Sequence, residues 1–118
     1  MDRRYRLTGS ADFQRVRRTG KAYAHPLVVL MTCPNGLDRS RFGITAGRRV
    51  GGAVVRNRAK RLLREAVRRH VDRIGPGWDI VLVARPGLLS ARWPSLAEAV
   101  DQLIRQSGCL VSSNDDTD

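Results

Sequence analysis

Apolar runs are short in this chain. None exceeds five residues, as at 27–31, against the roughly 20 that a membrane-spanning helix needs. A transmembrane segment is excluded. Met1-Asp2-Arg3-Arg4-Tyr5-Arg6 has no apolar stretch behind it, so no secretory leader is read there and a cytoplasmic location is expected. Cysteine is scarce: Cys33 and Cys109 are too few for the four-ligand zinc sites of structural metal folds, and both are expected as free thiols. The two histidines, His25 before Pro26 and His70 on the apolar side of a helical pattern, read as structural. Acids are few and scattered along the folded region at Asp12, Asp38, Glu65, Asp72, Asp79, Glu98 and Asp101. They show no pairing that suits metal-assisted or general acid–base cleavage. Glu65 is expected to pair with an arginine of its own helix. No phosphate-cradling Walker loop is present, since residues 47–52 run into Ala53-Val54-Val55. An enzyme that cuts nucleic acid by its own side chains is therefore not expected.

What the chain has in excess is arginine. Its 118 residues suffice for one domain, and 42% hydrophobic content is enough for a core. Lys and Arg total 22 against 11 acids, a net charge of +11. Only Lys21 and Lys60 are lysines, and arginine forks bidentately onto phosphates and stacks on bases. The charge is concentrated: residues 39–73 hold twelve basic and two acidic side chains. An excess of ten over so short a stretch destabilises a compact domain by self-repulsion unless a polyanion answers it. Residues 1–107 read as a single RNA-binding domain and 108–118 as a flexible acidic tail.

The pattern of the chain gives the order α-β-β-β-α-β-α. Ser10 suits the cap of a short basic helix over 11–18, with Phe13 and Val16 as its apolar contacts and Gly20 as its stop. Strands follow at 21–25 and 27–33, parted by Pro26. Turn residues at 34–38 lead to an alternating strand at Arg41–Ala46, which is expected to form a hairpin with 27–33. After Gly51-Gly52, Val55, Ala59, Leu62, Leu63, Ala66, Val67 and Ile74 recur at helical spacing. Asn57, Lys60, Arg61, Arg64 and Arg68 fall on the other side. Gly75-Pro76-Gly77 is expected to end that helix. The apolar strand 78–85 should sit centrally. A last helix is expected from Ser95, with a capping box to Glu98, as far as Gly108.

The strongest signal is the stretch Gly47-Arg48-Arg49-Val50-Gly51-Gly52 leading into Arg56-Asn57-Arg58-Ala59-Lys60-Arg61 and Arg64. Backbone N–H groups at such a glycine-rich helix entry can meet a phosphate. A strand and glycine loop in front of the helix fit a DNA-binding helix-turn-helix poorly. A ribosomal or RNA-chaperone protein would satisfy composition equally well.

At these residues the chain resembles the bacterial ribonuclease P protein family. Its Arg-Asn-Arg helix stands at Arg56-Asn57-Arg58, its lead-in at Phe42-Gly43-Ile44-Thr45 to Gly51, its opening at Arg6-Leu7 and Asp12-Phe13, and its last strand at residues 78–85. The resemblance covers about residues 4–107. It implies an α+β two-layer sandwich, ferredoxin-like, with a left-handed βαβ crossover. It also implies a protein cofactor to an RNA catalyst that removes the 5′ leader of precursor tRNA. The partners would be the catalytic ribonuclease P RNA and precursor tRNA, with no protein partner required and with Mg2+ bound mainly by RNA and substrate. By position, Arg48, Arg49, Arg56, Asn57, Arg58, Lys60, Arg61, Arg64 and Arg68 would contact RNA. Phe13, Arg17, Val28, Met31 and Thr45 would line or border the leader cleft. Arg17 and Met31 stand where family members often carry aromatics, which implies thinner base stacking and a more electrostatic cleft.

Overall fold

The computed structural model describes residues 6–110. Helix α1 spans Ser10–Thr19, and strands β1, β2 and β3 span Lys21–Ala24, Val28–Pro34 and Arg41–Ala46. Helix α2 (Ala53–Arg68), strand β4 (Trp78–Ala84) and helix α3 (Trp93–Ser107) complete the order. The strands lie as β1-β2-β4-β3. Strand β4 is antiparallel to β2, from Val28 opposite Ala84 to Pro34 opposite Trp78. It is parallel to β3, from Arg41 opposite Asp79 to Ala46 opposite Ala84.

Strand β4 therefore takes the central place its apolar run predicts. The hairpin expected between β2 and β3 does not form, because β4 lies between them and the hairpin is β1 with β2. The β2–β3 connection is tied to the start of β4 instead. Asn35 N–H donates to the Gly77 carbonyl at 2.8 Å, the Ser40 hydroxyl donates to the Gly75 carbonyl at 2.6 Å, and Ser40 Oγ accepts from Trp78 N–H at 3.0 Å.

Alternation in the strands separates two apolar faces. Val28, Leu30, Phe42, Ile80 and Leu82 meet Ala59, Leu63 and Val67 of α2 and Leu96, Val100, Leu103 and Ile104 of α3. Sheet, α2 and α3 make the two-layer sandwich. Over the opposite face, α1 buries Val16 among Leu7, Cys33 and Val81, with Phe13, Met31 and Val83 at the margin.

Three helix ends differ from expectation. Helix α1 begins at Ser10 itself, with Gly9 at the cap position and no side-chain cap. Helix α3 begins two residues before Ser95, with Arg92 at the cap, because Pro94 already supplies helical φ in the first turn; the capping box is absent. Helix α2 stops at Arg68, and a 3₁₀ turn at Val71–Arg73 carries the chain to Ile74, which bridges to Leu110. Ile74 is buried by that bridge and not by a continued helix. Cys109 is buried as well, so residues 109 and 110 belong to the fold and the expected tail starts too early; 111–118 lie outside the described residues. Both cysteines are free, as expected.

Candidate nucleic-acid interface

The chain leaves β3 through a 3₁₀ turn at Arg48–Val50 that exposes Arg48 and Arg49. Gly51 follows at φ 150°, and a Cβ there would lie 2.7 Å from Val55 Cγ1, so only glycine makes this turn into α2. Gly52 caps α2 without a side chain, and no acid stands in the first turn. The positive end of the helix is thus left uncompensated beside two arginines. Ala59, Leu63, Ala66 and Val67 bury the inner face. At 100° per residue Asn57, Arg61, Arg64 and Arg68 gather opposite them, with Lys60 and Arg58 on the two flanks and Arg56 on the inner side, between the directions of Leu63 and Val67. Glu65 accepts from Arg68 Nη2 at 2.8 Å through both carboxylate oxygens, the pairing expected of it. Arg56 Nε is buried without a hydrogen-bond partner among the described residues.

Across the sheet from α2 and α3, α1 covers β2 and β4 and leaves β3 partly open. The result is a groove of 280 Å³ lined by Thr8, Ser10, Phe13, Arg17, Met31, Ile44, Thr45, Val81 and Val83. A second hollow of 250 Å³ continues past Phe13 to Arg6, Gly43 and Arg64. The Phe13 ring forms the ridge between them and rests on Gly43, where a Cβ would sit 2.6 Å from Phe13 Cζ. Arg64 is a residue of the α2 basic face and also lines the second hollow. Basic helix and groove are therefore contiguous.

An ion cluster on the other side of α1 sets its place on the sheet. Asp79 of β4 is fully buried. Its carboxylate accepts from Arg41 Nε at 2.9 Å, Arg41 Nη2 at 2.8 Å, Asn35 Nδ2 at 3.0 Å and Arg15 Nη2 of α1. Asp12 adds longer contacts to Arg15 at 3.5 Å and Arg41 at 3.7 Å. Burial pushes the Asp79 carboxyl up, but the hydrogen bonds from Arg41, Asn35 and Arg15 outweigh it and hold the group below its ordinary range.

Of the groove residues named from the sequence, Phe13, Arg17, Met31 and Thr45 come together. Val28 does not. It is buried among Leu30, Leu82 and the inner faces of α2 and α3, on the opposite side of the sheet, because residues 28 and 31 of one strand differ in parity. Sequence reasoning missed Thr8, Ser10, Val81 and Val83 as lining residues and Asp79 as the anchor of α1. Val81 and Val83 carried a signal: a strand apolar on both faces must have cover on both, so alternate positions of β4 face α1.

Fold and surface together define an α+β RNA-binding protein whose basic helix adjoins an apolar groove. The family model for ribonuclease P matches residues 1–108. The chain is 43% identical over 107 residues to the ribonuclease P protein component of Herpetosiphon aurantiacus, covering 91% of this chain and 87% of that protein. It is 43% identical over 115 residues to that of a Roseiflexus species, covering 97% and 94%. Among solved structures, the Staphylococcus aureus RNase P protein superposes with a TM-score of 0.81 at 30% identity, over 91% of this chain and 98% of that one. The Thermotoga maritima RNase P protein superposes at 0.76 and 31% identity, over 86% and 96%. The chain belongs to the ribonuclease P protein family, the protein components of a ribonucleoprotein endoribonuclease in tRNA 5′ processing. These relatives lend the ribosomal and chaperone reading no support.

Proposed function

We propose that this protein docks on the catalytic ribonuclease P RNA through Arg48, Arg49 and the outer face of α2, and takes the single-stranded 5′ leader of precursor tRNA in the groove beside α1. The observation that carries this reading is Arg64, which stands on the outer face of α2 and also lines the hollow that continues the groove past Phe13. A leader lying in the groove would set one base against the Phe13 ring, with Arg17 on one side and Arg6 and Arg64 on the other to meet its phosphates. Asp79, by fixing Arg15 and Arg41, keeps α1 at a constant distance from β3 and so keeps the groove open. Lys60, Arg61 and Arg68, with Asn57 among them, supply charge and hydrogen bonds to a folded RNA.

Among the described residues no three His, Cys, Asp or Glu side chains gather in a way that could hold a metal ion. The Mg2+ of the reaction is, in this proposal, held by RNA and substrate, and no step is routed through the protein. No helix among the described residues is long and apolar enough to cross a membrane. The proposed function places the protein in the cytoplasm, with its precursor tRNA. No further protein partner is invoked.

The test is reconstitution with the ribonuclease P RNA of the same cells. Cleavage of precursor tRNA at low Mg2+ should depend on the protein, and the protein freed of RNA should not cleave. Cleavage by the protein alone that survives destruction of contaminating RNA would refute the proposal.

A further inference from the structure

Among the described residues there is a hollow larger than the groove beside α1. A cavity of 600 Å³ lies on the other side of the sheet, between the end of α2 and one face of α3. Helical spacing builds one wall, since Trp93, Ala97, Asp101 and Arg105 follow one another at intervals of four along α3. The end of α2 and its 3₁₀ turn supply Arg69, His70 and Arg73. Trp93 is 39% exposed, a large aromatic surface left open to solvent. Arg69 and Arg73 are exposed, and no acid pairs with either among the described residues. His70, only 7% exposed, lines the cavity with its Nε2 3.7 Å from Asp101 Oδ1, and its Nδ1 lacks a hydrogen-bond partner among the described residues. Asp101 also accepts from Arg105 Nε at 3.0 Å, and Glu98 stands at the edge.

We propose that this cavity is a second site for single-stranded RNA, in which one base stacks on Trp93 while the flanking phosphates meet Arg69 and Arg73. It rests on the reading of the protein as an RNA-binding subunit and extends it to a face that the sheet separates from the leader groove. Three features choose RNA over an acidic peptide. An exposed indole offers a stacking surface that every base can use. Unpaired arginines at the rim match phosphates spaced along a strand. Asp101 and Glu98 accept hydrogen bonds from the N–H donors of a base edge, donors that a run of side-chain carboxylates does not offer. Guanine suits them best, because its N1–H and N2–H donors lie side by side and match the two oxygens of one carboxylate. The site therefore prefers a guanosine to a uridine at the stacked position.

The experiment uses the full chain with ¹⁵N-labelled indoles. Trp78 and Trp93 give two indole N–H signals, and the signal lost in Trp93→Phe identifies the second. The RNA trinucleotide UGU should move the Trp93 signal, and UUU should bind roughly tenfold more weakly. Arg69→Ala with Arg73→Ala, both at exposed positions, should weaken UGU binding by roughly tenfold or more while leaving the fold intact. A Trp93 signal unmoved by UGU at about 1 mM overturns the proposal. So does an equal response to a short Asp/Glu peptide, which would assign the cavity to a protein partner. Precursor tRNA cleavage by the reconstituted holoenzyme is measured alongside. Protein-dependent cleavage with a silent Trp93 signal removes this second site alone, whereas a responding Trp93 without such cleavage supports it and removes the leader-processing reading.

Discussion

Gly43→Ala is the smallest change that reaches the groove. The added Cβ would lie 2.6 Å from Phe13 Cζ, 2.9 Å from Phe13 Cε1 and 3.3 Å from Leu7 Cβ. The first two separations lie far inside contact distance, so the ring must leave its seat; Leu7, buried at 3% exposure, cannot follow. Overpacking of this kind costs about 1–3 kcal/mol, and the lost backbone freedom of the unfolded chain returns about 0.4–1 kcal/mol. The net is a destabilisation of about 1–2 kcal/mol, or a fall in Tm of roughly 5–10 °C for a domain of this size. Displacing the ring also removes a base stack worth about 1–3 kcal/mol. Affinity for precursor tRNA should thus drop roughly tenfold, with mature tRNA unaffected. Thermal melting and paired binding titrations of the two tRNAs with the holoenzyme measure both effects. The double variant Gly43→Ala/Phe13→Leu should regain most of the Tm and none of the leader affinity. A Gly43→Ala protein with unchanged Tm and unchanged preference for precursor over mature tRNA would refute the placement of Phe13.

Asp79→Ala should cost about 3 kcal/mol, the lower end for a broken buried pair, because Arg15 and Arg41 at 33% and 21% side-chain exposure can turn to water; denaturant unfolding checks this. The depressed Asp79 pKa adds stability that is present above the ordinary carboxylate range and is lost as pH falls through its lower folded value, so an acid titration of stability should flatten in that variant. Burial depresses the His70 pKa, against the pull of Asp101 and with help from Arg69, Arg105 and Arg73. Stability should therefore fall as pH drops below the unfolded histidine value of about 6.5, and His70→Gln should remove that slope in melts across pH 5–8. Arg61→Ala and Arg64→Ala should both weaken binding to the catalytic RNA and lower its salt dependence by up to about 0.9 in log–log slope, with stability changed by about 0.5 kcal/mol or less. Of the two, only Arg64→Ala should also reduce the preference for precursor over mature tRNA, since Arg64 and not Arg61 lines the hollow that continues the groove past Phe13.

Much of this was legible before any coordinates. The apolar run in β4 announced a central strand, and the spacing of Ala59, Leu63, Ala66 and Val67 against Asn57, Arg61 and Arg64 announced a helix with a core face and a charged one. Strand neighbours were not legible, because alternation assigns a residue to a face and says nothing of which strand lies beside it; the ties of Asn35 and Ser40 to the start of β4 are long-range. The helix ends misled for local reasons. Ser10 and Ser95 fit a cap pattern that Gly9 and Arg92 occupy instead, and Val71 and Ile74 continue an apolar spacing that a 3₁₀ turn satisfies as well as an α-helix does. Val28 was avoidable, since the period of a strand sets it apart from Met31. Asp79 was not, for a lone acid ahead of an apolar run gives no hint that three donors from separate elements converge on it.

The insertion of β4 between β2 and β3 also sets a timetable for the growing chain. Until residues 78–84 have left the ribosome, β3 has no long strand to pair with and α2 lacks half of the surface it packs on. The basic helix is complete as sequence at residue 68 yet has only part of its support, and short helices without full packing are marginal in water. Ordering of the arginine face is thus deferred to the last third of synthesis, when a single strand closes the sheet on both sides at once. A nascent chain cut before β4 should be captured by RNA only through unstructured charge, with the steep salt sensitivity that such contact brings.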